Sequence, residues 1–134
     1  MFGSSARRSF GAFRVAKVRI LYWKEIPVQV QAEDESGVVS APLDDRFQQG
    51  VDAISMLDDS AGSDDYLTGW EWGEFEQIDG LARSAADNLA DTINSNFPTD
   101  FVSRVKDLQE SDRRNPIPGA IDNWFDAPLP PPMG

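Results

Sequence analysis

The chain has 134 residues, 40% of them hydrophobic and 26% charged, with a formal net charge of −11, which suits one domain with short arms. It holds no Cys and no His, which excludes disulfides, thiolate nucleophiles, the usual structural zinc site, the Ser-His-Asp triad and a histidine general base. Residues 1–24 carry six Lys/Arg and no acid, so residues 25–134 set the other six cations against all 23 acids, a net of −17; such a body repels nucleic acid and anionic membrane.

Residues 1–14 read as a basic flexible arm. Met1–Arg8 lacks the apolar centre of a secretory signal, and no apolar run reaches the ~18 residues of a membrane span, so the expected compartment is the cytoplasm. From Val15 the pattern becomes a strand, with Lys17 and Arg19 alternating against Val18, Ile20 and Tyr22. Lys24-Glu25 turns the chain, and Val28 and Val30 then alternate with Gln29 and Gln31 in a second strand. Pro27 and the two glutamines suggest an edge strand with one wet face. Glu33–Gly37 is a charged turn, and Val38–Ala41 pairs briefly before Pro42.

Asp44 is placed to cap a helix whose stripe is Phe47, Val51, Ile54 and Leu57. Gly50 inside it costs ~1 kcal/mol relative to Ala. Asp58–Asp65 reads as a solvated loop. A calcium loop of the EF-hand kind is not matched, because its sixth position would be Ser63 or Asp64 and no Glu stands at the twelfth. Residues 69–77 read as a third strand, with Gly69 and Gly73 marking a bulge or close packing. Glu71, Glu74, Glu76 and Asp79 lie among Trp70, Trp72 and Phe75, a mixture that sugar-cleaving carboxylate pairs use. Strand alternation, however, puts Glu71 on the face opposite Trp70 and Trp72 and Glu74 on theirs, so a structural strand is the better reading.

Leu81, Ala85, Leu89, Ile93 and Phe97 recur every four residues and predict a helix over 81–97, stopped by Pro98. Thr99 is expected to cap a further helix carrying Phe101, Val105 and Leu108. Residues 111–134 read as an extended Pro-rich tail with an aromatic cluster, Trp124-Phe125. These two rings either dock on a partner or fold back on the domain. No glycine-rich phosphate loop is present. The expected fold is α+β: a two-layer sandwich with a small, mainly antiparallel sheet of three to four strands. Its order is β-β-α-β-α plus a C-terminal helix, with the helices on one face and the domain spanning 15–110.

The run Val18-Arg-Ile-Leu-Tyr-Trp-Lys-Glu-Ile-Pro-Val-Gln-Val-Gln31 resembles the opening of the bacterial family called "virulence factor". The likeness continues through Leu43-x-x-Arg46-Phe47-x-x-Gly50-Val51-Asp52, Asp65-Tyr66-Leu67-x-x-Trp70 and Asp79-Gly80. The Ile-Pro-x-Gln-Val element is its most specific part. The resemblance implies a small domain found alone or joined to helical-repeat scaffolds, with free-standing members encoded near folate- and corrinoid-dependent methyl-transfer enzymes. It carries over no catalytic or binding residue.

The residues themselves leave three functions open. The first is a non-catalytic accessory or protein-interaction module whose protein partner meets the tail at 115–134 through Trp124 and Phe125. The second is a small-molecule site beside Tyr22, Lys24, Arg46 and Trp70, on the resemblance serving one-carbon methyl-transfer enzymes. The third is a structural subunit of a larger assembly. No catalytic residue, cofactor or metal site is expected.

Overall fold

The computed structural model describes residues 15–126. The predicted basic arm at 1–14 and the tail beyond Asp126, with Pro128–Pro132, lie outside the described residues.

The alternating first half of the sequence forms a meander of three antiparallel strands, β1 (Val15–Trp23), β2 (Ile26–Asp34) and β3 (Gly37–Pro42). Ala16 and Val18 of β1 and Val30 and Ala32 of β2 are buried, and the pairs Lys17↔Glu33 and Arg19↔Gln31 take the opposite face, as strand alternation requires. The turn at Lys24 is left-handed (φ 53°). It is closed by the Lys24 N–H donating to the Gly69 carbonyl at 2.7 Å.

β2 is not an edge strand: it lies between β1 and β3 in the order β3-β2-β1-β4. Pro27 misled the reading because it stands ahead of the β2–β3 ladder, which begins at Gln29↔Pro42. Its missing N–H therefore costs no bond to β3.

The third predicted strand is two strands. β4 (Trp70–Trp72) and β5 (Glu76–Asp79) both pair antiparallel with β1, against 21–23 and 15–18 respectively. Between them Gly73–Phe75 leaves the ladder, so Glu74 does not share a face with the tryptophans by alternation. A Cβ at Gly73 would lie 2.8 Å from the Tyr22 ring, and one at Gly69 would lie 2.8 Å from Trp23 Nε1. The close packing expected of these glycines is what the structure shows.

The helices are α1 (Asp45–Leu57), α2 (Asp64–Thr68), α3 (Ala82–Asn96), α4 (Phe101–Glu110) and α5 (Asn123–Asp126). α2 replaces part of the expected solvated loop. α3 packs on β1, β2 and β3, α1 on β2, and α4 on α1. The result is the α+β sandwich expected, with five strands.

Details of the helix ends differ from the reading. Asp44 stands at the N-cap of α1 but makes no capping bond with its side chain. Asp100, not Thr99, is the N-cap of α4. The buried stripe of α3 is Ala82, Ala85, Ala86, Ala90 and Ile93, while Leu81 is exposed. The start of α3 is satisfied from the sheet, where Asp34 Oδ2 accepts the Ala82 N–H at 2.7 Å.

Gly50 has a positive role. Phe101 of α4 stacks on Phe47 (centroids 5.4 Å apart) and edges onto Phe97 (5.3 Å). A Cβ at Gly50 would lie 2.3 Å from Phe101 Cζ. The glycine that weakens α1 as an isolated helix is the one that lets α4 approach it.

Candidate functional site

The break between β4 and β5 opens a cleft of about 550 Å³. Its floor is β1, with Val18, Ile20 and Tyr22. One wall is the Gly73–Phe75 excursion with Glu76 at the start of β5, a second is the Leu89–Asn96 side of α3, and the third is the segment from Pro118 to Phe125.

That third wall is the part of the predicted tail that is described. Residues 111–126 run back across the domain as a strap fixed at two ends. At the first, Arg114 donates from Nε and Nη2 to the two carboxylate oxygens of Glu25, at 2.7 and 2.8 Å, and from Nη1 to Asp58 Oδ2 at 2.8 Å. Lys24 Nζ donates to the same Asp58 oxygen at 2.8 Å. The side chains of Glu25, Arg114 and Asp58 are all nearly inaccessible, at 1, 5 and 6%. Two cations and two anions thus form a neutral network, the condition under which buried charge is tolerated. Burial pushes the Asp58 carboxyl up, but hydrogen bonds from Lys24, Ser60 and Arg114 outweigh it and hold the pKa at about 2. Asp58 therefore departs from the solvated loop expected of it.

At the second end, Ile121 and Phe125 are buried in the core, and Phe125 and Trp124 both lie against Phe97, with centroids 6.0 and 5.9 Å away. Between the ends, the Tyr22 hydroxyl donates to Asp122 Oδ2 at 2.7 Å. Burial first, then that bond and the charges of Asp122 and Glu76, push the Tyr22 phenol well above its ordinary range. The phenol is a fixed donor in the cleft, and the neighbouring carboxylates make the space negative.

The six residues singled out from sequence do not form one site. Tyr22 and Phe125 do meet at the cleft. Lys24 is engaged with Asp58, its ammonium 4.9 Å from the Trp23 ring centroid. Trp70 packs edge-on against Tyr66, whose carbonyl accepts the Trp23 indole N–H at 2.9 Å. Arg46 lies elsewhere and clamps the end of α3, donating to the carbonyls of Asn94, Phe97 and Pro98. Trp124 sits outside the cleft, with the Arg104 guanidinium 5.5 Å from its ring.

Sequence reasoning missed Glu25, Asp58, Arg114 and Asp122, whose partners lie up to 100 residues away. It also missed the place of Arg19, whose guanidinium carbon is 4.1 Å from the Trp72 ring and 4.5 Å from that of Phe75. Nε of Arg19 donates to Gln31 at 2.9 Å. Alternation had put Arg19 and Gln31 on the same face, and this was the one signal available.

Among the described residues no group of three or more Asp or Glu is placed to hold a metal ion, and no helix is long and apolar enough to cross a membrane.

A family model described as "Virulence factor" matches residues 21–108. No curated protein and no solved structure matches. The matched span holds the last three residues of β1, strands β2 to β5, α1, α2, α3 and most of α4. Arg114, which anchors the strap, and Asp122 and Phe125 of its cleft wall follow that span.

Proposed function

The chain belongs to the virulence factor family, and we propose that it is a non-catalytic, cytoplasmic accessory module that holds a segment of a protein partner in the cleft beside Tyr22. The observation that carries this reading is the cleft itself. It is preformed, walled by three separate parts of the chain, and lined by apolar rings together with a few fixed polar groups. Recognition surfaces combine these features. The strongest titratable anomaly in it, the Tyr22 phenol, is a donor locked onto Asp122, which suits positioning better than proton transfer.

The proposal moves the contact surface from the tip of the tail to the cleft that the tail completes. A test by deleting residues 111–134 would remove Arg114 from buried Glu25 and confuse unfolding with lost binding. The better experiment is capture from the native host with Phe75→Lys in the cleft mouth and Val38→Lys on the β3 edge, both at exposed positions. A partner retained by the wild type and Val38→Lys but lost by Phe75→Lys supports the reading. Identical capture by all three defeats it.

A small-molecule site is the second reading, favoured by cleft size, since about 550 Å³ lies within the ~300–1,000 Å³ usual for ligand pockets. Thermal-shift and tryptophan-fluorescence titrations with folates, nucleotides and sugars address it. A saturable shift abolished by Tyr22→Phe would favour it over the protein partner.

A further inference from the structure

We propose that the cleft selects a cationic side chain, the guanidinium or ammonium group of a basic segment on the partner; this rests on the reading of the cleft as a docking site. Its charged lining is Arg19 against Glu74, Glu76 and Asp122, one cation to three anions, a net of −2. Arg19 is already engaged by Gln31, Trp72 and Phe75. Asp122 is engaged by Tyr22.

Glu74 on the excursion and Glu76 at the start of β5 are both exposed. Among the described residues neither forms a salt bridge. Burial is the main cause of the raised Tyr22 phenol, and the Asp122 bond and the charges of Asp122 and Glu76 push it further the same way.

The walls favour the same occupant. Tyr22, Phe75 and Phe125 are among the residues that line the cleft, Phe75 the exposed one, and aromatic faces attract cations, planar guanidinium above all. The Phe75 ring already carries the Arg19 guanidinium on one side. An anionic segment would meet three carboxylates. A neutral one would desolvate them without compensation. The field of the whole body, net −17 over residues 25–134, steers a basic partner toward the surface before contact.

The test titrates the full chain with a capped hexapeptide containing two arginines and with its citrulline counterpart, which keeps shape and removes charge. Amide chemical shifts report the site. Glu74→Gln/Glu76→Gln alters the cleft, and Glu33→Gln/Glu35→Gln removes the same charge from the β2–β3 turn. The expected result is that the arginine peptide shifts amides of 74–76, Thr92 and Gly119. Its Kd should weaken about tenfold with citrulline and in the cleft variant, and little in the turn variant.

Equal binding of the citrulline peptide, or equal losses in both variants, overturns cation selection. Binding of neither peptide at millimolar concentration does so too. A neutral partner held at the cleft would leave the docking reading standing while this inference falls, whereas a partner unaffected by Phe75→Lys would remove both.

Discussion

Replacing Arg114 by Ala should be the most damaging single change in the strap. The wild-type network holds two cations, Lys24 and Arg114, and two anions, Glu25 and Asp58. Removing Arg114 leaves one negative charge in excess. Asp58 keeps Lys24, but Glu25, at 1% side-chain exposure, loses both strong donors. Breaking a buried pair in this way costs ~3–5 kcal/mol. For a domain of this size that lowers Tm by on the order of 10–15 °C. Urea denaturation at neutral pH measures it as a fall in the midpoint with unchanged m. Glu25→Gln/Arg114→Met removes one charge of each sign and leaves Lys24–Asp58 intact, so at least half of the loss should return. A loss for Arg114→Ala under about 1 kcal/mol is the scale of an exposed pair. It would show that the strap is not held as described.

Three further outcomes follow from the same geometry. The Asp58 carboxyl lies at about 2, below its ordinary 3.8, so its contribution to stability is fully present above pH ~4 and is lost as pH falls through about 2. Lys24→Met should raise that pKa toward 3.8 and shrink the pH-dependent contribution. NMR titration of the Asp58 carboxyl carbon checks this, and titration at 3.8 or above in the wild type contradicts it. Gly50→Ala gains ~1 kcal/mol of helix propensity, yet the clash with Phe101 should give a net loss of ~1–3 kcal/mol in chemical denaturation; a neutral or stabilising result would contradict the packing described. Tyr22→Phe should cost ~1–2 kcal/mol. The absorbance difference between wild type and variant should show no tyrosinate step until alkaline unfolding, and a step near pH 10 in the folded protein would contradict the buried Tyr22–Asp122 bond.

What was legible in the sequence was local. Alternation around Lys17, Arg19, Val18 and Tyr22 fixes which face of β1 is buried, and the spacing of Phe47, Val51 and Ile54 fixes the inner face of α1. Periodicity cannot report what arrives from elsewhere in the chain. Gly50 reads as a cost because Phe101, which needs its missing Cβ, is 51 residues on. Asp58 reads as solvated because three other acids follow it within seven residues, and nothing local names Lys24 and Arg114 as its partners. Glu25 looks like one half of a polar turn, yet its partner is 89 residues away. The strap reads as a free tail because prolines mark an absence of regular structure and say nothing about docking. The cleft depends on that strap and on the β4–β5 break, so its parts were visible singly while the site was not.

The most direct measurement is photo-crosslinking in the native host from benzoylphenylalanine placed at position 75, against the same probe at position 38. The account predicts one partner captured from position 75, competed away by excess unlabelled wild-type chain, not by Phe75→Lys chain, and not captured from position 38. Capture that is equal from both positions, or that Phe75→Lys chain competes as well as the wild type, would contradict the cleft as the recognition surface.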